Sequence, residues 1–115
     1  MTLGEIVKEL GLEVLTGNIN LNKEIKSGYV SDLLSDVIAN IEQDSIWITI
    51  QRHINILGVA KLKDVIAIVI PRNLSVEEEV IKKAKEEGIA ILRDRRNAFE
   101  ITGLLYNMLK KAQNK

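Results

Sequence analysis

The 115-residue chain has no cysteine, one proline, one histidine and only 3% aromatic side chains. Each scarcity closes a class of function. Without cysteine there is no disulfide framework, thiol nucleophile or zinc–thiolate site. So few aromatic rings leave no stacking platform for single-stranded nucleic acid, and Trp47 lies in an apolar run that reads as core. No apolar stretch reaches the roughly 18 residues of a membrane-spanning helix. The N-terminus carries acids and no basic leader, so no secretory signal is expected and a cytoplasmic location is. Neither G-x-x-x-x-G-K-[ST] nor G-x-G-x-x-G occurs, which removes two phosphate-binding fingerprints. No His/Asp/Glu spacing resembles a metal site, and Ser35, Ser45 and Ser75 sit in cap or turn contexts with no base nearby in sequence. Neither a cofactor nor a catalytic residue is therefore expected, and the remaining enzymatic option rests on His53 as a base.

What is present is average for a globular protein: 46% apolar and 28% charged residues, enough for one domain over 1–115 with its own core. The formal net charge is zero but unevenly spread. Residues 1 to 50 hold three lysines against eight acids, a balance of −5, and residues 51 to 115 hold thirteen bases against eight acids, +5. A basic surface for nucleic acid is not indicated.

The stretch from Ser45 to Asn73 organises the chain. Ile46–Ile50 and Val65–Ile70 are short, almost wholly apolar and rich in β-branched residues, the pattern of strands buried on both faces. The segment between them suits a right-handed helical crossover, so these strands are expected to be parallel neighbours. Further strands are expected at Leu12–Leu15, Gly28–Val30 and Ile89–Leu92, with 18–26 a loop or weak strand. Helices are expected after a Thr2/Glu5 capping box, after a Ser31-Asp32 cap, over His53–Leu62, from a Ser75/Glu78 box to Glu87, and from Asn97 onward. The fold class is thus α/β, a single three-layer domain with a mainly parallel sheet of four or five strands flanked by helices.

Two features invite function. All five arginines follow predicted strands, so the carboxyl-end rim of the sheet would carry Gln51, Arg52, His53, Arg72, Asn73, Arg93 and Arg95, with Arg96 free to pair with Asp94 or Glu100. Guanidinium groups suit phosphate or carboxylate, so this rim is a candidate ligand site, against the alternative of ordinary polar loops. The crossover helix is apolar over more than half its circumference, and one sheet face cannot cover it. Ile54, Leu57 and Gly58 are accordingly candidates for a homodimer contact.

From nearly end to end, the chain resembles the DRTGG domain family. The resemblance is carried by Gly28-Tyr-Val-Ser-Asp-Leu-Leu-Ser-Asp-Val37, Trp47-Ile-Thr-Ile-Gln51, His53-Ile-Asn-Ile-Leu-Gly-Val-Ala60, Ser75 to Gly88-Ile-Ala-Ile-Leu92, and Phe99-Glu-Ile. It is most similar to the short stand-alone type associated with iron-only hydrogenase, and to the N-terminal non-catalytic domain of HPr kinase. The resemblance implies a regulatory module that self-associates as a homodimer, with a hydrogenase-related or iron–sulfur protein partner, and alternatively a sensor for an adenine nucleotide or phosphorylated metabolite. The chain departs from the family's name motif. Where the pattern has Gly-Asp-Arg, it has Ile50-Gln51-Arg52; where the pattern has Thr-Gly-Gly, it has Pro71-Arg72-Asn73. Losing both glycines removes the close backbone approach that a glycine loop allows.

Overall fold

In the computed structural model, which describes residues 1–114, a five-stranded sheet has the order β1-β5-β4-β3-β2. The elements are α1 (Leu3–Leu10), β1 (Glu13–Val14), β2 (Ser27–Val30), α2 (Leu34–Asn40), β3 (Ser45–Ile48), α3 (Asn55–Leu62), β4 (Ala67–Ile70), α4 (Glu78–Glu87), β5 (Ala90–Arg93) and α5 (Ala98–Gln113). β2 through β5 are parallel, and β1 joins β5 antiparallel, Glu13 opposite Arg93.

The strands' apolar character follows from their position between two helical layers. Along β3, Ile46 and Ile48 face one layer and Trp47 the other; Ala67 and Val69 alternate with Ile68 and Ile70 in the same way. Every residue of β3 and β4 is buried. Burying one large aliphatic side chain contributes about 1.5–3 kcal/mol, so the two central strands dominate the core.

Topology decides which helix covers which face. From β2 to β5 the order advances in one direction, so right-handed crossovers place α2, α3 and α4 on the same side. There Val37, Ile56, Ala60, Val80 and Ala84 pack with Trp47 and Ile68. The opposite face is left to α1 and α5, whose Leu3, Ile6, Ile101 and Leu105 meet Ile46, Ile48 and Leu92.

Two of the expected helix starts are formed differently. Helix α2 begins at Leu34 with Leu33 as an N-cap that makes no side-chain bond, so Asp32 does not cap it. Helix α4 starts at Glu78 behind Glu77, and the Ser75/Glu78 box is not made. The Thr2/Glu5 box and the Asn97 cap on Glu100 N are both present. The crossover helix begins at Asn55, two residues later than expected, after a turn at His53. On α4, ion pairs join Lys83 to Glu86 at i,i+3 and to Glu87 at i,i+4.

Candidate functional site

At the carboxyl ends of the parallel strands four loops lie side by side, 31–33, 49–53, 71–75 and 94–97. Between β4 and β5 they diverge. The chain leaves β4 for α4 on one face of the sheet and leaves β5 for α5 on the other. This is a topological switch point, the place where an open α/β sheet ordinarily forms a ligand crevice.

Here the crevice is bridged. Arg72 N donates to Arg96 O at 2.9 Å and Asn73 N donates to Asp94 O at 2.8 Å. Leu74 N closes back on Pro71 O at 3.2 Å across Arg72 and Asn73, both left-handed with φ of 57° and 51°. The loop thus adopts a left-handed backbone while carrying side chains, at a strain cost of about 1–2 kcal/mol at Arg72, whereas Asn73 adopts this region more readily.

The other arginines are mostly committed. Arg52 donates to Ser75 O at 2.8 Å, joining the loops after β3 and β4. Arg93 forms a two-pronged pair with Glu13 at 2.9 and 3.2 Å, fastening β1 to β5. Arg96 Nε lies 2.8 Å from the buried Asp94 carboxylate, and its Nη2 donates to Leu10 O. Among the described residues, Arg72 and Arg95 alone of the five arginines have no side-chain hydrogen bond or ion pair, and both are exposed. His53 is also exposed, its Nδ1 accepting from Asn55 N at 3.2 Å.

Asp32 is the residue that sequence reasoning missed. Its Oδ1 accepts from Thr49 Oγ1 at 2.8 Å and Ile50 N at 2.9 Å, while Gln51 Nε2 donates to its carbonyl at 2.8 Å. Gln51 is therefore a brace between loops as well as a rim residue. Nothing in local spacing distinguishes this Asp from a helix cap; the pairing of β2 with β3 does. Nearby, the Tyr29 hydroxyl donates to Asp36 Oδ2 at 2.9 Å. The Ser31 hydroxyl, followed by that of Tyr29, holds the Asp36 carboxyl below its ordinary value. The same bond to Asp36 raises the Tyr29 phenol.

The dimer candidates separate. Leu57 is only 3% exposed and belongs to the core beneath α3, reaching the outer face only in the floor of a groove beside Gly58 and Lys61. Ile54, Gly58 and Leu62 are exposed at i, i+4 and i+8, with Leu62 67% open to solvent. They form a ridge between two shallow grooves, one bordered by Lys61, Lys83 and Glu87, the other by Leu34 and Ile38.

The mostly parallel α/β domain thus presents a bridged switch-point rim at one end of its sheet and an exposed apolar ridge on α3. The DRTGG domain model matches residues 5–108, and the chain belongs to that family. It is 27% identical to the HPr kinase/phosphorylase of Streptococcus uberis over 119 residues, covering 90% of this chain and 38% of the relative. The chain thus spans well under half of that protein's length. Its fold is shared with the CBS and DRTGG regulatory region of Clostridium perfringens pyrophosphatase, a structure complexed with the activator diadenosine tetraphosphate: TM-score 0.70, 19% identity, 90% of this chain and 45% of that one. Among the described residues no group of three His, Cys, Asp or Glu side chains is placed to hold a metal ion, and no helix is long and apolar enough to cross a membrane.

Proposed function

We infer that the chain is a non-catalytic regulatory module that self-associates through the outer face of α3. The observation that carries this is the Ile54–Gly58–Leu62 ridge with a groove on each side. A row of residues four apart is the ridge that interdigitates when two helices cross at about −50°, and the glycine at its centre allows close approach. The surface is self-complementary, since each copy offers both ridge and grooves. Membership in the DRTGG family and likeness to the regulatory region of a pyrophosphatase support the regulatory part. The use of Asp32, Asp94, Arg52 and Arg96 as braces, rather than as free reactive groups, supports the non-catalytic part. Sedimentation velocity at increasing concentration tests self-association: a shift toward dimer by tens of micromolar supports it, and a strict monomer removes it. A hydrogenase-related or iron–sulfur partner rests on the sequence resemblance alone.

A second reading, a sensor for an adenine nucleotide or phosphorylated metabolite, is favoured by one observation. The unpaired Arg72 and Arg95 belong to the two loops that diverge at the switch point. Backbone amides of the 71–75 loop are spent on Arg96 and Asp94, so the guanidinium groups, with His53, Asn73 and the outer side of Arg52, would supply the contacts. Thermal unfolding with AMP, ADP, ATP, acetyl phosphate and phosphate tests it. A ligand at 100 times its dissociation constant adds about 2.7 kcal/mol. No shift with any of them would sink this reading while leaving self-association standing.

A further inference from the structure

At the end of the sheet opposite β1, β2 leaves an open edge. Its free hydrogen-bonding groups follow from the ladder. Ser45 O accepts from Ile66 N and Thr49 N donates to Val69 O, so the odd residues of β3 spend their backbone groups on β4. Ile46 and Ile48 consequently turn theirs toward β2. In a parallel pair a residue bonds to the neighbours of the residue opposite it, not to that residue itself. Gly28 and Val30, opposite Ile46 and Ile48, therefore direct their N–H and C=O groups outward. Ser31, in the other phase, turns its carbonyl inward to Trp47 Nε1 at 2.9 Å.

Beside this edge lies a groove of about 260 Å³ between β2 and α5. Its apolar wall is Val30, Ile48, Leu105 and Leu109, and Gly28 contributes no side chain to fill it. Val30 is 46% and Tyr106 65% exposed at its margin. The charged groups in its lining are Lys26 and Lys110, with no carboxylate among the lining residues. Lys26 is shared with Asp44 at 3.2 Å yet remains 63% exposed, and Lys110 sits over the Tyr106 ring at 6.0 Å.

The geometry points to this edge and groove as a docking site for an extended segment of a partner protein, about seven residues long, apolar at alternate positions and acidic at its two ends on that same face. The segment would add to the sheet as a sixth strand. Main-chain bonds to Gly28 and Val30 would hold it, alternate side chains would enter the groove, and its carboxylates would meet Lys26 and Lys110. The cationic margin selects this occupant. A second copy of the same groove would bring lysines to lysines.

Titration of the full chain with acetyl-Glu-Ser-Val-Ser-Val-Ser-Glu-amide, whose valines and glutamates share one face of an extended strand, followed by backbone amide NMR, tests the proposal. The account expects shifts confined to β2 and the facing side of α5, and at least tenfold weaker binding for the same peptide with lysines in place of glutamates. In Gly28→Pro, which removes one outward N–H, binding should fall about tenfold with the fold kept, because a Cβ there meets Ile46 and Leu105 only at ordinary contact distances of 3.5 and 3.6 Å. Should that variant unfold, Lys110→Glu reads the same claim through charge. Equal binding of both peptides, shifts elsewhere, or no binding at millimolar peptide overturns the proposal. Concentration-dependent broadening of β2 amides without peptide overturns it too, by assigning the edge to a second copy.

Discussion

Asp32 receives the Thr49 hydroxyl at 2.8 Å, linking the loop after β2 to the loop after β3 across the end of the sheet. With the Ile50 amide on the same oxygen, this carboxylate fixes the path of the chain into Gln51, Arg52 and His53. Because Thr49 is 1% exposed, removing Asp32 leaves a buried hydroxyl short of its acceptor. Asp32→Ala should cost about 1–2 kcal/mol in urea unfolding, with an unchanged m-value. Asp32→Asn should retain most of that stability, since an amide oxygen still accepts. If Asp32→Ala matched wild type, the rim would not depend on this tie.

The left-handed Arg72-Asn73 turn separates backbone from side chain. Arg72→Gly relieves strain in the fold but loosens the unfolded chain by a similar amount, so its stability should stay within about 1 kcal/mol of wild type. Arg72→Val, a β-branched residue at φ 57°, should lose about 1–2 kcal/mol. Nucleotide-dependent stabilisation, where wild type shows it, should vanish in both variants. Retention in Arg72→Gly would place the ligand elsewhere.

Asp36, held low first by the Ser31 hydroxyl and then by that of Tyr29, and Tyr29, raised by its bond to Asp36, give stability a dependence on pH at both ends. Asp36 is lowered in the fold, so its contribution is complete above the ordinary carboxylate range and disappears as pH falls through the folded value. Tyr29 is raised, so its contribution is complete below the ordinary phenol range and is lost as pH rises through the folded value. Between those limits both contributions are intact. Asp36→Asn should flatten the acid limb of a stability–pH curve and Tyr29→Phe the alkaline limb, each relative to wild type. Curves of unchanged shape would mean that the Ser31 and Tyr29 hydroxyls do not hold Asp36 in solution.

Helix α3 predicts opposite outcomes for neighbouring leucines. Leu62→Glu changes a side chain already 67% exposed and should leave the melting temperature nearly unchanged while abolishing self-association. Leu57→Glu forces a carboxylate into the core and should cost about 4 kcal/mol or more, enough to unfold much of the population. Normal folding of Leu57→Glu would contradict the placement of that side chain.

Much of this architecture was readable from local pattern. The uninterrupted apolar runs at Ile46–Ile48 and Ala67–Ile70 mark strands covered on both faces, and the length between them sets a parallel crossover. The excess apolar surface of α3 was equally visible, but which side chains it turns inward depends on packing against β3 and β4, so Leu57 could not be told from Leu62. The rim was legible as a set of arginines and not as a circuit. Arg93 pairs with Glu13 eighty residues earlier, and Asp32 reaches Thr49 seventeen residues later. The switch point between β4 and β5 depends on strand order and on α5 crossing to the other face, which periodicity does not encode.

The absence of native cysteine permits a direct test of self-association through α3. A Cβ at Gly58 meets nothing within 4 Å, so a single Gly58→Cys replacement fits the fold and places one thiol at the centre of the proposed contact. The measurement is the fraction of covalent dimer formed by Gly58→Cys under mild oxidation, beside Lys8→Cys, an exposed position on α1 on the other face of the sheet. The account predicts rapid, nearly complete dimer for Gly58→Cys and little for Lys8→Cys, with Leu62→Glu suppressing the former. Equal, slow cross-linking of the two variants would contradict it.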